Sequence, residues 1–178
     1  MAVKHRKKIK EYCTPLPGGG VCLPLSNKPA CAVVDAKDCK NLRKYRWHEH
    51  GGYVCRTIGS GRAAKRQCVH RILLNPPDSA TVVDHIDGDP MNNRRNNLRL
   101  ANKQLNSANI GPLRTNKSGV KGVVKRGNRH RAYIHHNKKT IFLGSFGSKE
   151  EAGCAYDKKA KELFGDHARL NGLCTAGA

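Results

Sequence analysis

Residues that could hydrolyse a phosphodiester bond are gathered in one stretch of the chain, between Asp84 and Asn106. Such a reaction needs a base that takes a proton from water near neutral pH, and a histidine such as His85 suits that task. It also needs a divalent cation that neutralises the developing negative charge. Mg²⁺ prefers oxygen ligands, which the Asp84 carboxylate and the Asn106 amide both offer. This stretch therefore supplies every group that the hydrolysis requires.

Two short strands and a helix must position these groups. The residue pattern predicts strands at Thr81–Asp84 and Leu98–Leu100, and a helix over about Lys103–Ile110 with Asn102 as its N-cap. The Asn-rich loop between the strands then folds back beside His85. Successive side chains of a strand point to opposite faces. The first strand must therefore end or twist here, so that the imidazole and the carboxylate before it reach one phosphate.

Several short motifs in this region recur at the spacings of a known family. They are Val69-His70-Arg71, Val83-Asp84-His85-Ile86-Asp87-Gly88, Asn93 and Asn97-Leu98-Arg99. Together they resemble the HNH endonucleases, most of all the homing enzymes of phages and introns. The resemblance covers about residues 67–110 and extends more loosely back to Val21. It implies a ββα-metal fold, in which two strands and a helix surround one divalent metal ion, Mg²⁺ or in its place Mn²⁺.

The resemblance also implies a role for each matching residue. Asp84 and Asn106 correspond to the metal ligands, and His85 corresponds to the general base. Asn97 corresponds to the residue that orients the base, and Asn93 to the loop asparagine that pins the hairpin. These roles are expectations that come from position in the family motif.

Plainer interpretations of the same residues exist. Asp, Asn and Gly are ordinary loop residues, so the stretch could be a turn-rich connector. A degenerate nuclease fold that is kept only for binding is a further alternative. His70 has two interpretations, as a support of the fold or as a phosphate contact. The complete set of acid, base and amide residues favours a working nuclease.

The pattern changes beyond about residue 117, where three strands and a long helix are predicted. The alternating segments are Val120–Lys125, Arg131–His136 and Thr140–Gly144. Ser148 and Glu151 form a capping box at the start of a helix that Gly165 ends. The economical arrangement is a three-stranded antiparallel sheet with the helix across its back.

This second region resembles an AP2/ERF domain over Lys117–Asn171. The matching motifs are Ser118-Gly119-Val120-Lys121-Gly122-Val123, Leu143-Gly144-Ser145-Phe146, Glu150-Glu151-Ala152, Ala155-Tyr156-Asp157, Phe164-Gly165-Asp166 and Leu170-Asn171. Such domains lay their sheet in the major groove of DNA, where side chains reach base edges. His130 departs from a common aromatic position, so the fold carries over better than any target sequence. The residues assigned to DNA contact are Lys121, Arg126, Arg131, Tyr133, His135, Thr140 and Phe142.

The charge of the chain indicates an anionic partner. Thirty-four Lys and Arg face thirteen Asp and Glu, which gives a formal net charge of +21. Such an excess costs self-repulsion. Nine basic residues and no acidic residue lie between Gly111 and Gly147, as expected of a surface that faces nucleic acid. No apolar run is long enough to span a membrane, so no membrane partner is implied. The predicted partner is double-stranded DNA, and no protein partner is implied.

Cysteine usage bears on location. Eight cysteines occur without a C-x-x-C pair, which argues against structural zinc. No apolar segment follows the basic start, so no secretory signal is predicted. We therefore expect most of these thiols to be reduced, partly buried and similar in behaviour to small hydrophobic side chains. The predicted location is cytoplasmic, within a phage-infected or bacterial cell, and not secreted.

The predicted fold class is α+β, with a ββα-metal nuclease module followed by a three-stranded sheet and helix. The predicted ranges are a flexible basic lead-in at 1–20, an HNH nuclease domain at 21–110, a linker at 111–117, an AP2/ERF-like domain at 118–172 and a tail at 173–178. The predicted function is a metal-dependent, site-specific and homing-like DNA endonuclease. The alternative is a non-catalytic, sequence-specific DNA-binding regulator, which the second module alone would permit. An RNA-binding protein is supported by charge alone.

Overall fold

A computed structural model describes residues 14–174 of the chain. It is a mixed α+β structure that contains, within the described residues, four small sheets. The chain divides into two compact units, Met1–Leu100 and Ala101–Ala178. The predicted domain ranges place residues 101–110 with the nuclease and stay a prediction. Most of the predicted lead-in and of the predicted tail lies outside the described residues.

The first unit begins with a three-stranded antiparallel sheet and a short helix. The strands are β1 (Thr14–Pro15), β2 (Val21–Pro24) and β3 (Cys31–Val34), in that order. Helix α1 follows at Ala36–Leu42. Asp35 has the N-cap position of α1, but its side chain makes no capping hydrogen bond. Its carboxylate accepts instead from the backbone N–H of Arg95, at 2.8 Å, and so ties α1 to the region of the predicted site.

A second antiparallel sheet and helix α2 complete the surroundings of the site. The elements are β4 (His48–His50), β5 (Tyr53–Ile58), β6 (Lys65–Cys68) and α2 (Val69–Leu74). The turn between β4 and β5 lies at Gly51 and Gly52, whose φ angles of 58° and 88° suit glycine. The segment from Gln67 is extended as far as Cys68 and helical from Val69.

Two further strands carry the predicted catalytic stretch. β7 (Val82–His85) and β8 (Leu98–Ala101) form a two-stranded sheet. Val83 and Leu98 belong to the same buried cluster as Leu23, Val34 and Trp47, which anchors the strands to the rest of the unit. Burial of each such side chain contributes about 1.5–3 kcal/mol. The hairpin is therefore held by the unit's main core and does not stand alone.

The second unit begins with a helix and continues with the predicted sheet. Helix α3 spans Lys103–Asn109, and its N-cap Asn102 accepts from the Leu105 N–H at 2.9 Å, as predicted. The following elements are β9 (Val123–Arg126), β10 (Arg129–His136), β11 (Lys139–Phe146) and α4 (Lys149–Phe164). The sheet is antiparallel with β10 in the centre. The strands lie close to the segments that the residue alternation predicts.

Helix α4 packs across one face of this sheet. Ala132 and Ile134 of β10 are buried, and Ile134 packs with Tyr156 of α4. Ser148 accepts from the Glu151 N–H at 3.1 Å, as predicted for the cap. The Glu151 carboxylate reaches one residue further back than in a standard capping box and accepts from the Gly147 N–H.

Gly122 is required where this helix approaches the sheet. Its φ is +76°, which side chains rarely adopt, and a Cβ there would lie 2.7 Å from the carbonyl oxygen of Tyr133 and would collide with the ring of Tyr156. Only glycine lets the start of β9 and helix α4 come this close.

The expectation of reduced thiols is wrong for several cysteines. Cys55 is disulfide-bonded to Cys68 across β5 and β6, and Cys154 of α4 is disulfide-bonded to Cys174. Cys39 is disulfide-bonded as well. The two described pairs are 13 and 20 residues apart in sequence, and the fold brings them together, so no short spacing could have predicted them.

Two features bear on the predicted location. Cys22 and Cys31 are thiols, and burial, together with a hydrogen bond to Cys31, raises the pKa of the Cys22 thiol to about 12. No helix within residues 14–174 has the length and apolar composition needed to cross a membrane. The cytoplasmic location, which relied partly on reduced cysteines, stays a prediction.

Candidate active site

The predicted base, His85, is the last residue of β7 and is only 5% exposed. Its Nε2 lies 3.5 Å from the Oδ1 atom of Asn93. With the proton on Nε2, the imidazole donates to this amide oxygen, and Nδ1 keeps the lone pair that a base needs. Burial lowers the pKa of His85 below its ordinary value, against the opposing effects of Asn93 and of nearby carboxylates. The imidazole is therefore neutral over a wider pH range than usual.

Asn93 is held rigidly in the loop between β7 and β8. It is completely buried, and its Nδ2 donates to the carbonyl oxygen of Pro90 at 3.0 Å. Its backbone N–H donates to the carbonyl oxygen of Val33 at 2.7 Å, and the Val33 N–H donates to Met91 at 2.8 Å. Because this part of the loop pairs with β3, the amide oxygen beside His85 has a fixed position.

Asn97 has a different set of contacts. Its Nδ2 donates to Asp87 Oδ1 at 2.9 Å and to the Asn92 carbonyl oxygen at 2.8 Å. Its Oδ1 accepts from the backbone N–H of Asp87 at 3.1 Å. Asn97 thus pins the loop, whereas Asn93 contacts the base. These contacts are the reverse of the roles expected for the two asparagines from the family motif.

The predicted metal ligand Asp84 forms an ion pair with Arg99 across the two strands. Nε and Nη2 of Arg99 both lie 2.8 Å from Asp84 Oδ2. The Asp84 and Arg99 side chains are 6% and 16% exposed, respectively. Within residues 14–174, no group of three or more His, Cys, Asp or Glu side chains is arranged to hold a metal ion. A site built on Asp84 would therefore depend on amide, phosphate and water oxygens for its other ligands.

Two further rings surround the base. The ring of His70, on α2, lies 5.3 Å from that of His85, and the ring of Tyr53, on β5, lies 6.2 Å away. His70 is 7% exposed, and in the described part of the chain its Nδ1 is buried without a hydrogen-bond partner. Burial is the main cause that lowers the pKa of His70 to about 4. The sequence analysis did not predict Tyr53 as a neighbour of His85, because only the folded structure brings β5 next to that residue.

The second predicted ligand, Asn106, lies on α3 and is half-buried within the second unit. Its role as a metal ligand stays a prediction.

Comparison with known proteins identifies the family. The HNH endonuclease family matches residues 76–108, which include β7, β8 and the loop that carries Asn93 and Asn97. An uncharacterized HNH endonuclease of Acanthamoeba polyphaga mimivirus is 31% identical over 146 residues, which are 81% of this chain and 76% of that protein. The chain belongs to the HNH endonuclease family.

A second relative covers less of this HNH chain. Protein 3.8 of Escherichia phage T7 is 49% identical over 48 residues, which are 27% of this chain and 40% of that protein. No solved structure matches the chain. The family match ends at residue 108, so it does not extend to the sheet of the second unit.

The sheet of the HNH chain brings most of the predicted DNA contacts onto one face. Tyr133 pairs with Phe142 in the strand register, with ring centroids 5.2 Å apart, and Phe142 is 54% exposed. His135 pairs with Thr140, and its Nδ1 lies 3.3 Å from the Thr140 Oγ1. Helix α4 packs against the opposite face. The exposed cations Arg126 and Arg131 share the face of Tyr133 by strand alternation.

Lys121 is engaged elsewhere than the other residues predicted to contact DNA. Its Nζ donates to the carbonyl oxygen of Ala108, at the end of α3. Burial, and secondly the charge of Arg169, lowers the pKa of Lys121 to about 8. The exposed Arg129, which donates to the Ser145 carbonyl oxygen at 2.6 Å, was missed by the sequence analysis. Its spacing of two residues from Arg131 is the signal that could have found it.

Proposed function

We propose that this HNH-family chain is a metal-dependent endonuclease that hydrolyses phosphodiester bonds of double-stranded DNA at specific sites, as homing enzymes do. The observation that carries the proposal is the buried pair of His85 and Asn93, with the adjacent Asp84 carboxylate held by Arg99. A neutral imidazole beside a fixed carboxylate is what hydrolysis by an activated water requires.

In the proposed reaction, His85 removes the proton from the attacking water. In the tautomer with its proton on Nε2, the imidazole takes up the proton at Nδ1, and the hydrogen bond from Nε2 to Asn93 stabilises the imidazolium that results. We assign the orienting role to Asn93, with Asn97 as the residue that keeps the loop in place. His70 and Tyr53 then restrict the movement of the imidazole ring.

The donor chemistry of the site suits a hard divalent cation, Mg²⁺ or Mn²⁺. A carboxylate oxygen of Asp84 and the amide oxygen of Asn106 would hold it, together with phosphate and water. When bound, such an ion neutralises the charge that develops on the phosphate and on the leaving oxygen. Arg99 holds the Asp84 carboxylate in a fixed orientation while the cation is absent.

In the proposed function, the second unit binds the DNA through its sheet, as an AP2/ERF domain does. The sheet face carries cations beside the aromatic pair of Tyr133 and the exposed Phe142, and no acidic residue. Cations bind backbone phosphates, and a sheet can read base edges in the major groove. Because both units belong to one chain, binding by the sheet raises the local concentration of the His85 site on DNA.

The proposal is tested by cleavage of supercoiled plasmid and of a target library with Mg²⁺ or Mn²⁺. We expect cleavage that EDTA stops and that His85→Ala abolishes, while duplex binding measured in EDTA is kept. The ratio of nicked to linear product reports how many strands are cut. Tight binding without cleavage of any library member would favour a non-catalytic DNA-binding regulator.

A further inference from the structure

A basic pocket lies on the first unit, separate from the residues proposed for catalysis. It has a volume of about 520 Å³ and is lined by Lys44, Tyr45, Arg46, Arg56, Thr57 and Ile58. Three of these six side chains are cations and none is an acid. Within residues 14–174, no carboxylate forms an ion pair with any of the three. The pocket therefore concentrates positive potential in a concave surface.

Arg56 is fixed in this pocket before any ligand arrives. Its Nε and Nη2 donate to Gln67 Oε1 at 2.9 and 2.6 Å, across the paired strands β5 and β6. Its guanidinium carbon lies 3.6 Å from the centroid of the Tyr45 ring. A guanidinium that is already ordered loses little conformational entropy on binding, and its planar fork matches the oxygens of a phosphate.

The rim of the pocket offers further contacts. Lys44 and Arg46 are exposed, and Tyr45 between them is 45% exposed. Lys44 makes a long hydrogen bond, of 3.4 Å, to Asn41 Oδ1. Two exposed cations that flank an exposed aromatic ring are typical of surfaces that follow a nucleic-acid backbone.

The pocket lies close to the His85 site without belonging to it. Tyr53, at the start of β5, contacts His85, and Arg56 lies three residues further, about 10 Å along an extended strand. The two side chains leave β5 on opposite faces. A phosphate in the pocket would thus be bound by the same strand that carries Tyr53, but on the other face of that strand.

We propose that this pocket binds a backbone phosphate of DNA that flanks the cleaved bond, with Arg56 as the fixed contact and Lys44 and Arg46 as the rim. The choice of DNA as the source of the phosphate rests on the proposed function. The pocket gives the nuclease unit a DNA contact of its own, in addition to the sheet of the second unit. It would place the scissile phosphate relative to His85.

The test compares two double variants of the full chain. Lys44→Gln with Arg46→Gln removes two charges from the rim, and Lys37→Gln with Lys40→Gln removes two exposed charges from α1. Binding to a labelled duplex is measured by fluorescence anisotropy in EDTA at several NaCl concentrations. We expect the rim variant to bind about tenfold more weakly and to lower the slope of log K against log salt by about one to two, as for lost phosphate contacts.

Arg56 is tested separately because it also packs against Tyr45. Arg56→Lys keeps the charge but loses the fork and its two bonds to Gln67, so we expect part of the loss of affinity and a somewhat lower thermal midpoint, with binding measured well below that midpoint. If the two double variants bind the duplex equally well, the proposal that the pocket binds a phosphate is wrong, and the proposed function is not affected. If the wild-type chain folds but binds no duplex, DNA is not the ligand of the pocket and the proposed function is wrong as well. If the rim variant binds the duplex more weakly than the α1 variant but the wild-type chain cleaves no DNA, the proposal for the pocket is supported and the proposed hydrolysis is wrong.

Discussion

Asn93 Oδ1 lies 3.5 Å from His85 Nε2, in a loop whose backbone pairs with β3. The amide is completely buried and has little freedom to turn, since its Nδ2 donates to Pro90. This relationship favours the imidazole tautomer with its proton on Nε2. Asn97, twelve positions after His85, stabilises the loop instead.

Replacement of each asparagine by aspartate distinguishes these two roles. In Asn93→Asp, a carboxylate beside Nε2 would stabilise the imidazolium and raise the pKa of His85. The acid limb of the pH profile of kcat/KM should therefore move to higher pH. In Asn97→Asp, the new carboxylate lies against Asp87, so we expect loss of stability with the acid limb unmoved. The measurement is cleavage rate against pH, with thermal unfolding alongside. If Asn97→Asp moves the limb and Asn93→Asp does not, the assignment is reversed.

Arg99→Gln should destabilise the fold because it leaves the Asp84 charge buried without its cation. Removing one partner of a buried ion pair costs about 3 kcal/mol. Arg99→Lys keeps the charge and should cost much less. If Asp84 holds a divalent cation, Mg²⁺ should raise the thermal midpoint of Arg99→Gln more than that of the wild type. Urea and thermal unfolding with and without Mg²⁺ test both points. Equal Mg²⁺ effects on the two proteins would argue against a cation at Asp84.

The sequence predicted the elements of the site better than the contacts within it. The strands around Asp84 and Leu98 and the cap at Asn102 follow from local patterns, and the structure has them. The role of Asn93 depends on the pairing of its loop with Val33, sixty residues earlier, which no local pattern shows. Tyr53 could not be assigned to the site from the sequence either, because it lies far from His85 along the chain.

The same reasoning explains the other differences. Asp35 has the position of a helix cap, but a backbone N–H from a distant loop competes for its carboxylate. Alternation on β10 predicted the exposed face, because a period of two is a property of the strand itself. It could not predict that Lys121, just before β9, would turn towards α3.

His70 should make stability depend on pH in weakly acidic solution. Its pKa is lowered to about 4 in the folded chain, against about 6.5 when unfolded. The unfolded state therefore binds more protons between these values, and stability is full above pH 6.5 and falls towards pH 4. Between pH 7 and pH 5 the free energy of unfolding should fall by about 2 kcal/mol through this residue. Urea unfolding of wild type and His70→Gln at both pH values measures it. An equal fall in both proteins would contradict the role of His70.

The lysine and the arginines of the second unit should respond differently to substitution. Arg131 is exposed on the sheet face, so Arg131→Gln should weaken duplex binding and lower the salt slope by about one per lost phosphate contact. Lys121 bonds the end of α3, so Lys121→Gln should lower the free energy of unfolding, by about 1–3 kcal/mol for a bond from a charged group, and leave the salt slope unchanged. Anisotropy titrations and urea unfolding of both variants separate the effects. A lowered salt slope in Lys121→Gln, with unchanged stability, would mean that Lys121 leaves Ala108 to contact DNA.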